Sequence, residues 1–217
     1  MTKKIFIVTI LLCIVLFFIS CSKQEVIKEG VTKEIVILQK CEFKLEDIVN
    51  CKVAGIYIDM KNKISSIKDI PLLDAAKLVK AFNNKSFPVN FTLNLAINNP
   101  NNGLNGTTKT IVTLEKLDWL LLIGGVETIS GTVNQSIEIP GSAYTKTVIP
   151  LEMGVDLYEF FGDRDYESVI NIALALISSS GSAGKLTLNG KPIISTPFGP
   201  IEYPNEIKII EKEFRAN

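Results

Sequence analysis

The chain has 217 residues, with 23 Lys+Arg against 23 Asp+Glu, no His, four Cys, one Trp and 47% apolar residues. This balance excludes a disordered polyelectrolyte and argues against a basic nucleic-acid binder. Without His, the commonest general base near neutral pH and the commonest zinc ligand are missing, so His triads, His metal sites and His proton shuttles are excluded together. The length favours one domain, because a chain of about 150 to 200 residues buries about 70% of its unfolded surface in one core.

Residues 1–20 have the parts of a secretory signal: basic Lys3 and Lys4, an apolar run from Ile5 to Ile19 broken only by Thr9 and Cys13, and small Ser20 before Cys21. The run is short of the roughly 20 apolar residues that a spanning helix needs, and polar Ser22, Lys23, Gln24 and Glu25 follow it. Phe18-Ile19-Ser20-Cys21 resembles a bacterial lipobox, with Phe where Leu is usual. That resemblance implies cleavage between Ser20 and Cys21 and fatty acylation of Cys21, palmitate being one such chain. Each buried acyl CH₂ contributes about 0.8 kcal/mol, so two or three chains anchor stably where one does not. Ser22 after the Cys resembles the pattern of lipoproteins sent to an outer membrane, so the expected location is the bacterial cell envelope. Removing Lys3 and Lys4 leaves 21 basic against 23 acidic groups, a mildly acidic mature chain. Residues 21–33 are polar, contain Gly30 and lack a period, which reads as a flexible tether ahead of a domain over 34–217.

With Cys13 in the signal and Cys21 lipidated, Cys41 and Cys51 remain. One continuous strand from Cys41 to Tyr57 would hold their sulfurs about 33 Å apart; a turn near Glu46 and Asp47 would permit a disulfide. Cys41, Phe43, Leu45, Val49, Cys51, Val53 and Tyr57 share one parity, which favours the strand and two buried free thiols. Pro71 then suits a first helical position, with Leu72, Ala75, Ala76, Val79 and Phe82 as one apolar stripe.

Phe91, Leu93, Leu95 and Ile97 alternate with Thr92, Asn94, Ala96 and Asn98, the pattern of a strand buried on one face. The loop that follows holds Asn98, Asn99, Asn101, Asn102 and Asn105 with Gly103 and Gly106. Amide oxygens can ligate calcium, but the loop has no carboxylate to supply charge, and turn chemistry explains the Asn residues better. Strands are predicted over 110–118, 119–123 turning at Gly124-Gly125 into Val126, 136–139 and 145–156. Tyr166, Val169, Ile170, Ala173, Leu174 and Ile177 follow i, i+3, i+4, i+7, i+8, i+11, a second helix with Asp163 or Asp165 to cap it. Capping explains those two Asp better than a catalytic carboxylate pair does.

A Ser/Gly stretch over 178–184 reads as a loop. Gly184-Lys185 is not a phosphate loop, because Ser179 stands where its first Gly belongs and Leu186 where its Ser/Thr belongs. Asn189-Gly190 between 185–188 and 192–194 predicts a second hairpin, and a last strand is predicted over 206–213. Without His, a Ser nucleophile would need a Lys partner, and Ser66 and Lys68 lack the Ser-x-x-Lys spacing. The expectation is a non-enzyme with no catalytic, cofactor-binding or metal-binding residues.

Asn99-Pro100-Asn101 after the alternating strand resembles the signature of group 2 late embryogenesis abundant proteins, which share the WHy (water stress and hypersensitive response) domain. Asp118-Trp119, Gly124-Gly125, Ser130-Gly131-Thr132, Ile139-Pro140-Gly141 before Thr145 and Thr147, and Thr196-Pro197-Phe198-Gly199-Pro200-Ile201 fall in the expected order. The likeness covers roughly residues 40–213 and is greatest to the lipoprotein-anchored bacterial branch. It implies an immunoglobulin/fibronectin III-like antiparallel β sandwich with two helices, in agreement with the strand reading. It also implies non-enzymatic protection or stabilisation of envelope proteins under desiccation stress. The alternative is a binding module for lipid, protein or glycan, with an acyl groove between the helix over 163–177 and the sheet. Expected partners are the membrane, through the N-terminal lipid, and envelope proteins or lipids. Nucleic acid is not expected, and oligomeric state is left open. In the family motif, Pro100 removes a ladder donor while Asn99 and Asn101 satisfy the backbone where the chain leaves the sheet, a structural role.

Overall fold

A computed structural model describes residues 33, 35–58, 67–104, 108–142, 144–177, 186–197 and 199–210. In chain order these form a helical segment over 35–39, β1 (Glu42–Val53), β2 (Ile56–Tyr57), a 3₁₀ turn (Ile67–Asp69), α1 (Leu72–Asn83), β3 (Pro88–Asn98), β4 (Val112–Ile123), β5 (Val126–Val133), β6 (Ile137–Ile139), β7 (Thr147–Asp156), α2 (Leu157–Phe161), α3 (Tyr166–Ile177), β8 (Leu186–Ile194), β9 (Ile201–Glu202) and β10 (Ile207–Ile210). One sheet has the order β2-β1-β3-β7. The other has the order β10-β8-β4-β5, with β6 on β4 and β9 on β8. Every named strand pair is antiparallel, and the molecule is mainly β, a two-sheet sandwich as expected.

β3 organises the core. Its positions Val89, Phe91, Leu93 and Leu95 lie opposite Val155, Met153, Leu151 and Ile149 of β7. All eight are buried. Burying each such side chain contributes about 1.5–3 kcal/mol, and alternation brings them to one face. The other face is polar: Asn94 donates to Asp47 at 2.8 Å and Asn98 to Glu42 at 3.4 Å.

Several expectations needed correction. The segment from Cys41 to Tyr57 is not one strand. β1 carries register shifts between Leu45 and Asp47 and between Val49 and Lys52, and it turns at Ala54-Gly55 into β2. An extra residue in a strand flips its parity, so Leu45, Ile48, Cys51 and Val53 point inward while Tyr57 is 65% exposed. Cys41 and Cys51 are nonetheless both buried and free.

The Gly124-Gly125 turn is present, with φ of 59° and 86°. The Asn189-Gly190 turn is not: β8 runs straight through it, with Asn189 opposite Leu120 and Lys208 and Gly190 opposite Trp119 and Ile207. Strand partners on both sides satisfy more of the backbone here than a two-residue turn would. Gly190 answers a different need, since an added Cβ would lie 3.2 Å from a Leu117 methyl.

Helical content also exceeds the two helices expected, with α2 and the segment over 35–39 in addition. In α1 the inward edge is Ala75, Leu78, Ala81 and Phe82, whereas Leu72, Leu73 and Val79 are exposed. The helix is rotated because Phe82 packs edge-on against Tyr158 and Tyr166, with ring centroids 5.3 and 5.6 Å away. α3 is buried around most of its circumference, through Val169, Ile170, Ile172, Ala173, Leu174 and Leu176. Its neighbours include α1, α2, the 3₁₀ turn and β1, so it is an enclosed core helix rather than one with a single apolar stripe.

The strand directions divide the sandwich into two poles. β3 runs from Phe87, beside the end of α1, to Asn99, beside the start of β4. At about 3.3 Å per residue, those ends are roughly 40 Å apart. The helices, the Ala54-Gly55 and Gly124-Gly125 turns and the end of β10 gather at one pole. The segment over 35–39, Asn99–Leu104, Thr110 and Gly141 gather at the other.

Candidate functional site

Asn99, at the end of β3, is fully buried, and Asn101 is 4% exposed. The Asn99 amide donates to the carbonyls of Thr110 (3.0 Å) and Ile139 (2.9 Å). Its oxygen accepts from the Asn101 backbone N–H (3.1 Å) and from the Asn101 side-chain amide (2.8 Å). An Asn side chain has two donors and two acceptor positions, and all four are used within the chain. The Asn101 amide also reaches the Ile37 carbonyl at 3.4 Å. The backbone continues the junction: Ser142 N–H donates to Asn99 and Thr110 N–H to Asn101, both at 3.0 Å. Pro100, without an N–H, ends the β3 ladder, and its carbonyl accepts from Asn102 at 2.8 Å.

Gly141 completes the junction. It forms a bridge with Asn99, and an added Cβ would stand 1.9 Å from the Asn101 carbonyl oxygen. Only glycine permits that approach. Asn-Pro-Asn and Pro140-Gly141, which are 40 residues apart, are therefore two halves of one contact. A second such contact joins Asp118-Trp119 to Ser130-Gly131-Thr132. Trp119 lies opposite Gly131 and Asp118 opposite Thr132. A Cβ on Gly131 would lie 2.3 Å from the Trp119 ring. The Thr132 hydroxyl donates to Asp118 at 2.6 Å and Lys116 pairs with it at 2.7 Å. These bonds, the one from Lys116 foremost, hold the Asp118 carboxyl below the usual carboxylate range. Thr196 and Gly199 close a turn in which the Thr196 hydroxyl donates to the Gly199 carbonyl at 2.6 Å.

Ser20 and Cys21 lie outside the described residues, as do the 178–184 stretch, Asn105 and Gly106. In the described part of the Asn loop, the Asn102 side-chain Oδ1 accepts from Leu104 N–H at 2.9 Å, an Asx turn. Asp165 caps α3: its carboxylate accepts from Ser168 N–H at 2.9 Å and from the Ser168 hydroxyl at 2.6 Å. The Ser168 hydroxyl is the main reason its pKa is lowered. The two free thiols are raised by burial, Cys41 to about 11 and Cys51 to about 12, which makes them inert near neutral pH. Among the described residues, no three His, Cys, Asp or Glu side chains come together as a metal site would require.

Sequence reasoning missed Asp156. Its carboxylate accepts from Ser86 Oγ–H (2.7 Å), Phe87 N–H (2.6 Å) and Tyr158 N–H (3.0 Å), locking α2 to the start of β3. Asp156-Leu157-Tyr158-Glu159 has the spacing of a helix-start capping box, a signal that could have found it.

No protein-family model and no curated protein matches the chain. Among solved structures, the chain is similar to the crystal structure of a protein from Archaeoglobus fulgidus, with 12% identity, a TM-score of 0.30 and coverage of 58% of this chain and 86% of that one. It is also similar to the solution structure of a candidate late embryogenesis abundant (LEA) protein, with 14% identity, a TM-score of 0.29 and coverage of 88% and 87%. Likenesses this remote carry no functional argument.

Proposed function

We propose that this is a bacterial envelope lipoprotein, anchored through Cys21, whose group 2 LEA-like domain stabilises other envelope proteins during drying or freezing without catalysing a reaction. The observation that carries the family reading is the pairing of motifs distant in sequence. Asn99 and Asn101 close on Gly141, and Trp119 closes on Gly131, so the ordered series corresponds to contacts. The chemistry at the junction favours a structural role, since the Asn99 amide is fully engaged and buried.

The acyl-groove form of the binding alternative loses its support. Ala173, on the helix that would wall such a groove, is 1% exposed and packed in the core. A folded sandwich with its apolar faces inside would act on clients through its surface.

Two experiments test the proposal. The mature protein should keep a labile enzyme active through freeze–thaw better than an equal mass of albumin; parity with albumin would sink the protective role. Cys21→Ala should release the protein from membranes on fractionation, and retention would refute the lipid anchor.

A further inference from the structure

Exposed large apolar side chains occur at both poles, with Tyr57, Leu72, Leu73 and Val79 at the helical one. Leu104 (56% exposed), Ile111 (52%), Tyr144 (95%) and Val36 (42%) all belong to the segments that meet at the Asn99–Asn101 junction. The junction's hydrogen bonds bring these segments to one end of the sandwich. Leu104 follows the Asx turn on Asn102, Ile111 follows Thr110, and Tyr144 N–H donates to the Ser142 hydroxyl at 3.1 Å beside Gly141. Val36 precedes Ile37, whose carbonyl accepts from Asn101. Lys33, Lys40, Lys109 and Lys146 are exposed on the same segments. Lys146 pairs with Glu46, and the exposed Glu42 accepts from Asn98. Exposed Glu138 lies on the same pole, but aliphatic and aromatic tips on segments that also carry four exposed lysines have the composition of a surface that sits at the headgroup level of an anionic bilayer.

The place where the N-terminal chain meets the domain selects that occupant. The segment over 35–39 joins the body at this pole, and eleven residues, 22–32, separate Lys33 from Cys21. Eleven residues reach at most about 36–40 Å whatever their conformation, so this point of attachment would keep the pole close to the membrane at a high effective concentration. We infer that the junction pole docks on an anionic lipid surface through Leu104, Ile111 and Tyr144, with Lys40 and Lys109 contacting headgroups, leaving the helical pole facing away. This inference rests on the lipid anchor at Cys21.

The test uses the full-length acylated protein in vesicles of phosphatidylethanolamine and phosphatidylglycerol (3:1) containing a lipid brominated near the headgroup. Leu104→Cys, Tyr144→Cys and Leu72→Cys each carry an environment-sensitive fluorophore, while Cys41 and Cys51 are buried. Fluorescence at 104 and 144 should fall at least twofold when brominated lipid replaces ordinary lipid, with no change at 72. Charge reversal by Lys40→Glu with Lys109→Glu should restore much of it. Unquenched labels at 104 and 144 on a chain that still sediments with the vesicles would overturn the docking alone. A chain that fails to sediment would overturn the anchor as well. Equal quenching at 72, or a signal at 104 that follows protein density rather than brominated lipid, would show tumbling or self-association in place of docking.

Discussion

The two poles of the sandwich are held together by different physics. At the junction pole, hydrogen bonds from Asn99 and Asn101 tie four chain segments together, with Gly141 admitting a carbonyl where no side chain fits. At the helical pole, α3 is embedded in apolar contacts, and α1 is attached by one fully buried residue, Leu78, together with the edge of Phe82. A directional, fully satisfied polar network fails abruptly when one member is lost. An apolar edge contact yields in proportion to what is removed, so matched substitutions at the poles should differ in kind.

The largest loss is expected at the junction. Asn99→Ala strands the Thr110 and Ile139 carbonyls and removes both acceptor contacts to Asn101, at a cost of about 4 kcal/mol. Gly141→Ala should cost nearly as much through backbone overlap. In urea denaturation the double variant should lose clearly less than the sum, because both changes break one network; simple additivity would mean that the two halves are independent.

Next comes Leu78→Ala, which should cost about 3 kcal/mol by cavity formation, and hydrogen exchange should show the loosening confined to α1 and its neighbours. Uniform loosening of both poles would erase the distinction between them. A smaller effect, visible through pH, belongs to the cap of α3. The Asp165 pKa is lowered in the folded state, so its contribution is fully present above the ordinary carboxylate value of about 4 and is lost as pH falls through the folded value. The stability gap between the wild type and Asp165→Ala should therefore shrink in acid; a gap independent of pH would leave the carboxylate charge without a part in the cap. The smallest effect is expected at the exposed end of α1, where Leu72→Ser with Leu73→Ser should change stability by no more than about 0.5 kcal/mol. A larger loss in a melting experiment would mean that this face is covered in solution.

Legibility in the sequence followed the range of the interaction responsible. β3 was readable from Phe91 to Ile97 because period-two burial is a local signal. The Gly124-Gly125 hairpin was readable because its positive φ angles demand glycine. Asn189-Gly190 carried the same dipeptide signal and misled, since its glycine serves a close approach from Leu117 on another strand. Parity along β1 was readable only in patches, because its two register shifts are set by pairing with β3. The apolar stripe of α1 was off by a rotation, the contacts of Phe82 with Tyr158 and Tyr166 being over 70 residues away in sequence. Asn99, Pro100 and Asn101 stood out in the sequence, but their partners at Ile37, Thr110, Ile139 and Gly141 were not legible from spacing.

The sequence by itself determined the elements whose causes are local: alternating strands, a glycine turn, an Asp-capped apolar helix, and the composition that leaves no histidine chemistry to the chain. Tertiary structure alone decided which motifs meet, which helix becomes core, and that the exposed apolar side chains divide between two poles. Those outcomes depend on how two sheets stack and where their loops converge, and a buried amide or a missing Cβ acquires its meaning only from the atoms brought against it.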